Sequence, residues 1–98
     1  MHEPIKYELP VNLLAAVEEE FARAVASNGS FNSAHEGYAV LLEEVEELKA
    51  WVWRKRSERD LAAMTKECIQ VAAMALRFIT DVCLFEGRGW NERPEVPK

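Results

Sequence analysis

The stretch from about Glu58 to Phe85 constrains the fold most, because read as a helix it is apolar on opposite faces at once. At helical spacing Asp60, Ala63, Glu67, Gln70, Met74, Phe78 and Asp81 share one face. Ile69, Ala72, Leu76 and Cys83 lie opposite, and Val71, Ala75, Ile79 and Val82 occupy the flanks. A helix apolar all round has to be buried all round. The 98 residues make one domain near the lower end of what folds alone, and two companion helices cannot cover such a surface. The expectation is an all-α antiparallel bundle of three main helices, completed by oligomerisation to a dimer or tetramer.

The companions are legible. Leu13, Leu14, Val17, Phe21, Ala24 and Val25 recur at helical spacing and predict a first helix over about 10–26, with Pro10 in its first turn and Gly29 as its stop. Glu18, Glu19 and Glu20 fall mid-helix and read as a solvated face. The second helix opens on a capping box, Ser33-Ala34-His35-Glu36, and carries Tyr38, Leu41, Leu42, Val45, Leu48 and Val52 on one stripe. It is expected to fray at Arg54-Lys55-Arg56, where cations suit the C-terminal end of the dipole. Ser57-Glu58-Arg59-Asp60 offers a second capping signal. A loose N-terminal segment (1–9) and a polar tail (87–98) flank the single domain.

Composition narrows the function. The formal charge is −5, and only four Gly and four Pro occur, which disfavours a sandwich or barrel. No basic stripe interleaved with aromatics is read, so nucleic acid is not an expected partner. No apolar run approaches the roughly 18 residues of a membrane span, and the start lacks the pattern of a signal peptide. Cys68 and Cys83 sit on one helix about 22 Å apart, too far for a disulfide. Both read as reduced core thiols of a cytoplasmic protein.

Two acidic groups carry the candidate chemistry. Glu43-Glu44-Val45-Glu46-Glu47 places Glu44 and Glu47 three apart on one face of the second helix, with Glu43 beside them. From spacing alone a solvated acidic face accounts for these residues. Glu67 changes the balance, since it shares a face with Met74 and Phe78 and a lone carboxylate in an apolar setting is costly unless paired. Gln70, one turn on, offers a neutral oxygen. If the second and third helices pack antiparallel, Glu44 and Glu47 oppose Glu67 and Gln70. Hard oxygen ligands of this kind suit Mg²⁺, with Mn²⁺ as a second choice.

These residues resemble a known family. Glu43-Glu44-Val45-Glu46-Glu47 matches the EExxE motif of MazG-like nucleoside triphosphate pyrophosphohydrolases, the all-α group that includes dimeric dUTPases. Glu67-Cys68-Ile69-Gln70 falls where the family's ExxD motif belongs, with Gln70 in place of Asp. His35-Glu36-Gly37-Tyr38 and Gln70-Val71-Ala72-Ala73-Met74-Ala75 are similar to a phage- or mobile-element-associated branch. The resemblance covers about residues 33–85. It implies an oligomeric helical bundle and Mg²⁺-dependent cleavage of a nucleoside triphosphate to monophosphate and pyrophosphate. Glu44, Glu47 and Glu67 would be metal ligands, with Gln70 as the departing fourth. Glu43 would add a ligand or orient the attacking water. Lys49, Lys55, Lys66 and Arg77 are candidate phosphate contacts, each with the plainer reading of a surface cation; Arg77 is spaced to pair with Asp81. Trp51 is a candidate base-stacking residue or an interface Trp, and His35 reads as a surface or interface residue. The alternative to an enzyme is a non-catalytic oligomeric helical module derived from this family.

Overall fold

The computed structural model of the chain describes residues 10–84. Among the described residues all regular structure is helical: α1 Val11–Asn28, α2 Ala34–Val52 and α3 Leu61–Phe78. A 3₁₀ turn, Arg56–Glu58, precedes α3, and a π-helical turn, Ile79–Cys83, continues it.

Each boundary has a local cause. Pro10 lies outside the first turn of α1, and its carbonyl accepts from the Leu13 and Leu14 N–H groups. Gly29 stops α1 at φ 70, a backbone region that costs a side-chain-bearing residue strain, while its N–H closes on the Val25 carbonyl. The stop comes two residues later than the periodicity suggests.

At the start of α2 the Ser33 hydroxyl accepts from the Glu36 N–H at 3.1 Å. The return contact is displaced by one residue: Glu36 Oε1 accepts from the Asn32 N–H at 2.8 Å, because the Asn32 side-chain amide reaches the same carboxylate. This hydrogen bonding holds the Glu36 carboxyl below its ordinary range. At the far end Arg59 donates to the Val52 carbonyl at 2.7 Å, satisfying an orphan acceptor.

α3 begins at Leu61 rather than near Glu58. The Glu58 N–H is already committed to the Lys55 carbonyl in the 3₁₀ turn, and the N-cap is Asp60, whose Oδ1 accepts from Ala63 N–H at 3.0 Å. After Phe78 the helix widens into the π turn that carries buried Asp81 and Val82.

α3 is the central element. It packs on both α2 and α1, while those two share few contacts with each other. Close approach of α2 to α3 depends on Gly37. A Cβ at that position would meet Phe78 Cδ2 at 2.8 Å and Phe31 Cδ2 at 3.0 Å. The buried core is small: Ala24, Phe31, Ala73, Met74 and Val82, with Phe21, Ala34, Val40, Leu41 and Phe78 against it. Burial of Phe31, Met74 and Val82 contributes roughly 1.5–3 kcal/mol each.

Two expectations are corrected here. Cys68 and Cys83 are exposed on the chain rather than core thiols: Cys68 on α3 and Cys83 at the end of the π turn share the helical side of exposed Leu76 and Ile79, which α1 and α2 leave uncovered. Arg77 does not pair with Asp81. The Asp81 carboxylate accepts from the Phe31 N–H at 3.0 Å and from the Thr80 hydroxyl at 3.3 Å. Arg77 instead donates to the Gly29 carbonyl at 2.8 Å and lies over the Phe31 ring at 4.1 Å.

Candidate functional site

The antiparallel packing of α2 and α3 brings Glu44, Glu47 and Glu67 together, with one carboxylate oxygen of each within 4.8 Å of the others. Glu44 and Glu47 lie on one face because they are one turn apart. Glu67 meets them because α3 runs back along α2. Glu44 and Glu67 are half-buried and Glu47 is exposed. One oxygen of Glu44 and one of Glu67 are buried with no hydrogen-bond partner among the described residues.

The electrostatics follow from that placement. Burial, then the Glu47 charge, hydrogen bonding to Glu47, and the charges of Glu67 and Glu43 push the Glu44 carboxyl up to about 7. Hydrogen bonding to Glu47 is the main cause that raises Glu67, followed by burial and the Glu47 charge, with Lys66 opposing. Three carboxylates this close resist joint ionisation, and either a retained proton or a bound cation relieves them. The donor set fits a hard dication: all oxygen, two atoms otherwise orphaned, and one exposed carboxylate that leaves access from solvent.

The other candidate residues divide. Gln70 is half-buried one turn beyond Glu67. Glu43 is exposed, and together with Glu44 it lines a cleft of about 540 Å³ between α1 and α2. Arg77 and Met74 also line this cleft, from α3. Lys49 and Trp51 do not line it. Lys49 lies 3.9 Å from Glu46 and over the Trp53 ring, and Trp51 lies under the Arg54 guanidinium at 4.2 Å. Lys55, Lys66 and His35 are exposed.

Sequence reasoning missed the α1 wall of the cleft. Arg23, Ser27 and Asn28 come from the last turns of α1, and Ser30, Phe31 and Asn32 from the loop after it. The only signal in the sequence is the polar run Ser27-Asn28-Gly29-Ser30-Phe31-Asn32, which reads equally well as a plain connection. No family model, curated protein or solved structure matches the chain. Among the described residues no helix is long and apolar enough to cross a membrane.

Proposed function

We propose that this chain is a Mg²⁺-dependent nucleoside triphosphate pyrophosphohydrolase that releases pyrophosphate and leaves the nucleoside monophosphate, serving to clear unwanted nucleotides in the cytoplasm. The observation that carries the reading is the convergence of Glu44, Glu47 and Glu67 around two buried, unpartnered carboxylate oxygens. The resemblance of residues 43–47 and 67–70 to the MazG-like motifs supports the same reading.

Glu44, Glu47 and Glu67 would hold the Mg²⁺ or Mn²⁺, which when bound would neutralise charge on the phosphate oxygens. Glu44 and Glu67 hold the site rigidly, since each is fixed on a packed helix. Glu47 is the ligand on the solvent side, where the site stays open to substrate. Glu43, exposed at the rim of the cleft, orients the attacking water and takes its proton. Water oxygen bonds to the α-phosphorus, and the bond to the α–β bridging oxygen breaks to free pyrophosphate. Positioning and charge stabilisation account for most of the acceleration.

The working form is proposed to be a homo-dimer or tetramer. Leu76 at 44% and Ile79 at 47% exposure, together with Leu84, leave one side of α3 and the π turn after it apolar and uncovered, and Tyr38, Leu42 and Val45 do the same on α2. Sedimentation at micromolar concentration gives the mass directly, and a well-folded monomer there removes the oligomer.

Pyrophosphate release from a nucleotide panel, with and without Mg²⁺, tests the activity. Glu47→Gln and Glu67→Gln are expected to lower it by at least about a hundredfold while keeping the helical fold, by loss of charge at constant shape. Wild-type rates in both variants would place the chemistry elsewhere. The second reading, a non-catalytic oligomeric helical module, draws on Gln70 standing where the resembled family has Asp. It predicts no pyrophosphate release with any nucleotide.

A further inference from the structure

The floor of the cleft holds a cation whose donors the fold does not use up. Arg77 is 2% exposed. One terminal nitrogen donates to the Gly29 carbonyl at 2.8 Å, and the other makes only a weak contact with Met74 Sδ at 3.4 Å. Its Nε–H is buried without an acceptor among the described residues. Ion pairs among the described residues join Arg23 to Glu20 and Lys49 to Glu46, and none involves Arg77. A guanidinium has five N–H donors and accepts nothing. Leaving such donors buried and unmet is unfavourable.

The guanidinium is also held in place. Asp81, on the π turn, accepts the Phe31 N–H and so fixes the loop, and the Phe31 ring fixes the guanidinium plane at 4.1 Å. A planar donor array fixed in a cleft wall suits recognition of a planar acceptor.

The lining says which kind of acceptor. Glu20, Glu36, Glu43 and Glu44 face the cleft against only Arg23 and Arg77, so a free anion is repelled. Phe31, Val40 and Met74 give it apolar surface, and the Asn28 and Asn32 amides add polar contacts. Its volume, about 540 Å³, lies within the roughly 300–1,000 Å³ of small-molecule sites. A neutral, flat, acceptor-bearing ring meets all three conditions.

We propose that this cleft seats the nucleobase of the substrate, with Arg77 donating to a ring carbonyl oxygen, so that Arg77 is a specificity-determining residue. The oxygen in question is the one at C4 of a pyrimidine or C6 of a purine, so uracil, thymine and guanine are favoured over cytosine and adenine, which carry an amino group at that position facing a donor. The identity of the ligand as a nucleotide rests on the proposed function, and Glu44 belongs to both the carboxylate triad and the cleft.

Calorimetric binding of thymidine, guanosine, cytidine and adenosine in the presence of chelator, to wild type and to Arg77→Met, tests it. Thymidine and guanosine are expected to bind about tenfold tighter than cytidine and adenosine, with the ratio falling to about one in the variant. Should Arg77→Met fail to fold, Arg77→Lys takes its place, since it keeps the charge but loses the planar fork. Equal binding of all four, tighter binding of the amino bases, an unchanged ratio in a folded variant, or no binding in the millimolar range each overturns the inference. Carbonyl-selective binding without pyrophosphate release would defeat only the catalytic reading. Pyrophosphate release without carbonyl preference would defeat only this one.

Discussion

Glu44 and Glu67 approach the same point from antiparallel helices, and each ends in a buried oxygen without a hydrogen-bond partner among the described residues. Packing of α2 on α3 drives them together, so core burial elsewhere holds this arrangement against its own repulsion. A dication bound to the folded state alone converts that penalty into a gain. By mass action a ligand at a hundred times its Kd adds about 2.7 kcal/mol. For a domain of this length that is a melting-temperature rise on the order of 10 °C. Melting curves in chelator and in excess Mg²⁺ are expected to differ by such an amount in wild type and to converge in Glu67→Gln. Identical curves in wild type would leave only a solvated acidic face.

The raised carboxyl of Glu44 sets a pH dependence with a definite sign. Burial, then its acidic neighbours, move it from 4.5 to about 7. Between those values the folded chain binds more protons than the unfolded chain, so stability falls as pH rises through that window. Without metal, the urea midpoint is expected to be higher at about pH 5 than at about pH 7.5. Glu44→Gln should flatten this slope. Excess Mg²⁺ should offset the loss at the upper end, because the dication binds the ionised form. A midpoint that climbs with pH in chelator contradicts the assignment.

The parts of this fold that repeat along the chain were readable in advance. Leu13 to Val25 and Tyr38 to Val52 recur at helical spacing, and Ser33 announces the start of α2. Glu44 and Glu47 share a face by spacing, and a short connection to α3 sets the register that brings Glu67 to them. α3 starts later than the sequence suggests, because Ser57 and Asp60 are both competent caps and only the 3₁₀ turn decides between them. The cleft was not readable at all. Phe31 meets Asp81 across 50 residues of chain, and Arg77 reaches Gly29 across 48. No periodicity encodes contacts that exist only after α1 has docked on α3.

Gly37 gives a test of the α2–α3 contact away from the carboxylates. Ala in a helix interior is favoured over Gly by roughly 1 kcal/mol. Against that, the new methyl would meet the edges of Phe78 at 2.8 Å and Phe31 at 3.0 Å. Both rings pack in or against the core, and overpacking of this kind costs about 1–3 kcal/mol. Gly37→Ala is therefore expected to lower stability by about 1 kcal/mol in chemical denaturation at fixed protein concentration. A more stable variant would mean that the Phe78 ring swings aside freely.

Gln70 is where the chain departs from the family it resembles. It follows Glu67 by one turn and is half-buried. As a ligand its neutral oxygen lacks the full charge of a carboxylate, so the Coulomb attraction to a dication is weaker. Gln70→Asp is accordingly expected to tighten Mg²⁺ or Mn²⁺ binding by about tenfold, read by calorimetric titration. The added charge also joins a cluster that already raises Glu44 and Glu67. The same variant should thus be less stable than wild type in chelator and more stable than wild type in excess metal, with its unfolding curves crossing as metal is added. A contact from the Gln70 amide to the base gives a different outcome, because an amide both donates and accepts. Metal affinity would then stay at the wild-type value while the ranking of nucleotides changed. Titrating metal and running the nucleotide panel on one preparation of Gln70→Asp separates a ligand on α3 from a residue that reads the substrate.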